Sequence, residues 1–70
     1  MPLIIAPIGK SVKVLKYSID EGSEKRLRDL GLVPGCQIAV VQECAGDIIV
    51  QIKDARIAIN KTLARKIFVA

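Results

Sequence analysis

The chain has 70 residues, a net charge of +4, two cysteines, and neither histidine nor tryptophan. A chain this short buries only about 60% of its unfolded surface, so it forms one domain and must commit nearly every apolar residue to a single core. The 51% hydrophobic content argues against disorder, and the longest uncharged stretch, Leu30 to Gln42, is too short and too broken by Pro34 and Gly35 to cross a bilayer. Met1 to Gly9 lacks the basic start and the length of a signal peptide, so the expected location is the cytoplasm.

Ile (11) and Val (7) outnumber Leu (6) by three to one, which favours pleated strands over helices. In chain order, Val12 and Val14 predict a first strand with both valines inward, and a bulge near Leu15 reconciles them with Lys16 and Tyr17. Ser23 is the predicted cap of a short helix. Glu24 sits in its first turn, and Leu27 and Leu30 form its apolar edge. Lys25, Arg26, Arg28 and Asp29 face elsewhere. Gly31 suits a left-handed stop, with Leu32 folding back on Leu27, and Val33-Pro34-Gly35 turns the chain into the next strand.

Alternation then gives a strand with Cys36, Ile38 and Val40 on one side, and another with Ile48, Val50 and Ile52 inward. Ala45-Gly46-Asp47 joins them as a hairpin turn. Asp54-Ala55 is the predicted reversal into a further strand, Arg56 to Asn60, with Ile57 and Ile59 inward. Asn60 caps one helical turn whose apolar side is Leu63, Ala64 and Ile67, and Ile67-Phe68-Val69 closes the chain as a last strand. Five short strands avoid exposed edges best by curling, so the fold class is all-β: a small barrel with one short helix and one helical turn.

Catalysis finds no foothold in these residues. No histidine is available as a base, neither cysteine has an activating partner, and the one adjacent acidic pair, Asp20-Glu21, reads as a solvated loop. Glycines at 9, 22, 31, 35 and 46 match neither a phosphate-binding loop nor a dinucleotide fingerprint. Two cysteines without histidine cannot make a structural zinc site. At opposite ends of one strand, Cys36 and Cys44 would lie roughly 26 Å apart, so two buried free thiols are expected rather than a disulfide. No cofactor and no metal site is expected.

Charge is segregated. Residues 1–19 carry +3, residues 20–35 carry −1, residues 36–52 carry −2, and residues 53–70 carry +4. If the first and last strands are neighbours, these ends merge into one basic flank. Either the cations keep an aliphatic surface soluble, or they attract an acidic protein, nucleic acid or lipid. Two aromatics are too few for base stacking, and without tryptophan a proline-recognition groove is not available.

The run Leu27-Arg28-Asp29-Leu30-Gly31-Leu32-Val33-Pro34-Gly35-Cys36-Gln37-Ile38-Ala39-Val40 resembles the signature of the FeoA family. Gly9 ahead of Val12 and Val14, the segment Arg56-Ile57-Ala58-Ile59 and the close Ala64-Arg65-Lys66-Ile67-Phe68-Val69 are similar to other family features, so the likeness spans the chain from about Leu3 onward. Ala55 stands where glycine is common, Ile59 where leucine is common, and Cys36 where a small polar residue is frequent. A proline often found after the position of Cys44 is missing.

The resemblance implies an SH3-like barrel that works as a non-catalytic accessory to FeoB, the membrane ferrous-iron transporter with a cytoplasmic GTPase domain. It would act at the inner face of the membrane through that partner and modulate uptake. A related barrel forms the C-terminal module of iron-dependent repressors, so a nucleic-acid or repressor-type interaction module is the alternative. Gly31, Pro34 and Gly35 are expected to hold the turn. The expected partner surface is Lys25, Arg26 and Arg28 on the helix, Val33 at the turn, and Phe68 if its parity turns it outward. Neither Arg26 nor Arg28 is singled out as an arginine finger. Exposed sheet edges leave room for weak self-association. The expected core is Leu27, Leu30, Leu32, Ile38, Val40, Val50, Ile52, Ile57, Ile59, Ile67 and Val69.

Overall fold

The structure, a computed structural model, describes residues 1–70. A 3-10 turn (Leu3–Ile5) leads into strand β1 (Ser11–Tyr17), helix α1 (Glu21–Asp29), strands β2 (Gln37–Cys44), β3 (Asp47–Ile52) and β4 (Ala55–Asn60), the single turn α2 (Lys61–Ala64) and strand β5 (Ile67–Val69). All strand pairs are antiparallel, in the order β4-β3-β2-β1-β5. The fold is the expected all-β, SH3-like one, with the five strands and two helical segments that alternation and capping implied, and a 3-10 turn in addition.

The first and last strands are neighbours. Val14 pairs with Val69 and Tyr17 with Ile67, with the register shift between Val14 and Lys16 that the inconsistent parity of Leu15 implied. Val12 and Val14 both point into the core. A second register shift, between Val40 and Gln42, turns the far end of β2 away from the core. Cys44 is therefore exposed and Cys36 half-buried, so the thiols are free but not the buried pair expected.

Several local expectations are corrected. Asp20, not Ser23, caps α1: its carboxylate accepts from Ser23 N at 3.2 Å and from the Ser23 hydroxyl at 2.8 Å. The helix thus starts at Glu21, and Asp20-Glu21 is a cap and first turn rather than a loop pair, though both side chains are solvated as expected. Leu30 is 47% exposed and is not core. As the C-cap it lies past the last helical residue, and the apolar contact of the helix end is made by Leu32, whose N–H donates to Leu27 O at 2.9 Å.

The reversal before β4 is made by Lys53-Asp54, with Lys53 in the left-handed region, and Ala55 already belongs to the strand. Alanine at 55 therefore needs no unusual φ. Ile57 is only half-buried, whereas Ile59, on the same strand and face, is buried. Ile67 sits in β5 rather than on the side of α2.

Fifteen buried residues, all hydrophobic, make one core. Two of them, Leu3 and Ala6, come from the segment before Gly9, where no element was expected. Met1 and Val69 exchange backbone hydrogen bonds at 2.8 and 2.7 Å and Pro2 bridges Phe68, so this segment covers the outer edge of β5. Proline suits that outermost position because it has no N–H to pair.

Candidate partner-binding surface

The turn between α1 and β2 is built from two glycines that the chain cannot replace cheaply. Gly31 (φ 95°) and Gly35 (φ 94°) both adopt the left-handed region. Gly31 N donates to Arg28 O at 3.0 Å and Leu32 N to Leu27 O, the two bonds of a Schellman stop. Cys36 N then donates to Val33 O at 3.1 Å across Pro34-Gly35, and Gly35 N donates to Val14 O at 2.7 Å. The turn is thereby tied to β1 as well as to its own strand. Gly31, Pro34 and Gly35 occupy the turn positions their sequence order implied.

This turn sets the height and angle of α1, which contributes one buried residue, Leu27, out of nine. At 100° per residue, Lys25 projects nearly opposite Leu27, Arg28 lies to one side, and Arg26 lies to the other. All three are exposed. Arg28 reaches Glu24 at 3.6 Å, one turn back, in an exposed ion pair of small energetic weight. Leu30, at 47% exposure, and Val33, at 36%, stand beyond the helix end and give this side an apolar tip next to its cations.

Arg26 faces a shallow cleft of about 330 Å³ between α1 and α2, where Lys66 and Asn60 also line the wall and Ile19 and Leu63 are the apolar residues. Asp20 lies at the rim, its carboxyl held below the usual carboxylate range by hydrogen bonds from the Ser23 side chain and backbone. Asn60 caps α2 through Leu63 N at 2.7 Å. The structure therefore divides the expected cations: Lys25 and Arg28 project outward, while Arg26 joins Lys66 in the cleft.

Phe68 lies on β5 between the buried Ile67 and Val69, so its ring turns outward, half-buried, with Lys16 Nζ 5.4 Å from its centroid. Tyr17 supports the same region from inside. Its hydroxyl donates to Leu32 O, and burial, with Cys36 and Glu24 nearby, raises its pKa above the ordinary 10.0.

Lys66, Leu30 and Asn60 were not anticipated as surface features. Lys66 was legible only as a charge, because its proximity to Arg26 depends on how α2 packs. Leu30 could have been found from the Leu-Gly-Leu order, in which the contact of the helix end belongs to Leu32 and leaves the leucine before glycine free.

No group of three or more acidic or cysteine side chains converges. The surface consists of exposed cations, two apolar tips and a shallow polar cleft.

The family model for the FeoA domain matches residues 1–70. A protein from Methanocaldococcus jannaschii, provisionally named Fe(2+) transport protein A, is 35% identical over 68 residues, which span 97% of this chain and 83% of that one. The crystal structure of an iron uptake regulatory protein, FeoA, superposes with a TM-score of 0.88 at 30% identity, covering 99% of this chain and 93% of that one. The solution structure of FeoA from Chlorobium tepidum gives a TM-score of 0.90 at 28% identity, over 99% of this chain and 68% of that one. With the family model matched from end to end and the fold shared throughout, the chain belongs to the FeoA domain family, whose members are small accessory proteins of ferrous iron transport.

Proposed function

We propose that this chain is a non-catalytic accessory that binds the FeoB-type membrane iron transporter at its cytoplasmic GTPase side and modulates transport. The observation that carries this reading is the presentation of α1: a helix anchored by Leu27 alone, with Lys25 and Arg28 outward and Leu30 and Val33 at its end. A polar helix held away from the core by a rigid turn is a surface for a partner, because it contributes little to the chain's own burial. Exposed cations steer an acidic partner and set the rate of encounter, while apolar tips supply contact area. No helix of the chain is long and apolar enough to cross a membrane.

The test is calorimetric titration against the cytoplasmic domain of FeoB and against the full-length transporter in lipid nanodiscs, with GTP hydrolysis followed in parallel. Lys25→Glu with Arg28→Glu should abolish binding while the fold is retained. Absence of binding to the full-length transporter would reject the reading, and salt-dependent binding to a mixed RNA and DNA pool would put a nucleic-acid module in its place.

A further inference from the structure

Six large hydrophobic side chains are exposed, and four of them precede Tyr17: Met1 (45%), Ile5 (64%), Ile8 (59%) and Leu15 (49%). Residues 1–19 also carry Lys10, Lys13 and Lys16 and no acidic residue at all. The two most exposed of the six, Ile5 and Ile8, stand three positions apart on a stretch that is well tied down. Leu3 and Ala6 on the same stretch are buried, Ala6 N donates to Leu3 O at 3.0 Å, and Gly9 N donates to Val40 O at 2.7 Å. The segment therefore runs from β5 to β2 across one end of the barrel, and its isoleucines are held out in water by a fixed backbone.

Neither Lys10 nor Arg65 takes part in an ion pair. Lys10 is exposed directly after Ile8 and Gly9, and the 3-10 turn packs against α2, which brings Arg65 to the same end. Lys61 of α2 is matched by Glu43 at 2.8 Å, and these two charges cancel. Asp47, the other acid of the β2–β3 hairpin, is half-buried.

Aliphatic tips beside the unpaired cations Lys10 and Arg65, with no aromatic anchor, fit an anionic lipid surface better than other partners. Tips of this kind enter the boundary between headgroups and acyl chains while lysines remain at the phosphates. Nucleic acid offers no apolar layer to receive Ile5 and Ile8, and, unlike the α1 side with Arg26 and Arg28, this end has no cluster of the arginines and aromatics that protein hot spots favour. We propose that this end of the barrel is a membrane-contact surface, in which Ile5 and Ile8 insert into an anionic phospholipid bilayer and Lys10, with Arg65, meets the lipid phosphates. The contact is made by the chain itself and stands apart from any transporter.

The test uses the full chain and protein-free vesicles, comparing phosphatidylcholine alone with phosphatidylcholine mixed with phosphatidylglycerol by co-sedimentation. Binding is expected only to the anionic vesicles and should fall as salt is raised. The double variant Ile5→Ser and Ile8→Ser keeps the charge and touches no buried residue. It should weaken partitioning by more than about tenfold, given the apolar area withdrawn. Lys10→Glu should weaken it less, by roughly several-fold. Circular dichroism confirms that each variant is folded. No binding to anionic vesicles at low ionic strength, or unchanged binding by the folded double-serine variant, would overturn the proposal. So would a loss of self-association in that variant with no vesicle binding by the parent, which would assign the tips to a second copy of the chain.

Discussion

Tyr17 is held in the fold by both its hydroxyl and its ring. Its hydroxyl donates to Leu32 O while its ring packs against the core, so it joins β1 to the stop of α1. Tyr17→Phe should cost about 1 kcal/mol, measured by urea unfolding, because it removes the donor and keeps the ring. The pH dependence has a definite sign. Since the folded pKa is raised above 10.0, the unfolded chain loses its proton first; stability is intact below that value and falls as pH rises through the folded pKa. The phenylalanine variant should lose this alkaline decline. Asp20 works in the opposite direction: its lowered pKa means that its contribution is present above the ordinary carboxylate value and disappears as acid protonates it. In Asp20→Ala, amide exchange in the first turn of α1 should quicken, and the acid limb of the stability curve should flatten. The choice between Asp20 and Ser23 as cap was hard to read in sequence, since both residue types cap helices well and only backbone conformation decides which one stands outside the helix.

At the scale of elements, the α1–β2 connection is the most demanding piece. Gly35 has open space where a Cβ would go, so its φ of 94° is the whole constraint. Gly35→Ala should therefore destabilise the fold by about 1–2 kcal/mol through left-handed strain alone. Attachment of α1 is tested separately. Leu27→Ala should cost about 2–5 kcal/mol and detach the helix, whereas Leu30→Ala should change stability by about 0.5 kcal/mol or less, both by chemical denaturation. That contrast checks the correction to the apolar edge of α1. Helical spacing alone makes the two leucines equivalent, and they separate only because the helix ends at Asp29. The strands were easier to read, since a period of two persists through Ile48, Val50 and Ile52 and each of these is buried. On β4, Ile59 is buried while Ile57, of the same parity, is only half-buried, so parity gives the face but not the depth along it.

For the molecule as a whole, the segment before Gly9 decides how the barrel is finished. Leu3 is fully buried, and Met1 and Pro2 cover the edge of β5 that would otherwise present unpaired backbone. Leu3→Ala should cost about 2–5 kcal/mol by thermal or urea unfolding, a large share of the stability of so small a domain. Hydrogen exchange at Val69, which donates to Met1 O, should quicken in the same variant. The other edge, β4, remains open. The first and last strands do come together, since β1 pairs with β5, but the charge of residues 53–70 is divided, with Lys53 and Arg56 at the opposite edge of the sheet.

The sequence by itself determined the element types, the parity of the strands, the bulge near Leu15, the glycine stop and turn, and the family, because each depends on residues within a few positions of one another. Tertiary structure alone decided the rest. Leu3 and Ala6 belong to the core although no periodic pattern marks them, since their burial comes from crossing one end of the barrel. Arg26 meets Lys66 from a distant part of the chain, and Leu30 stays outside. Burial and charge proximity are properties of surfaces brought together from far apart, and local spacing carries no information about which surfaces meet.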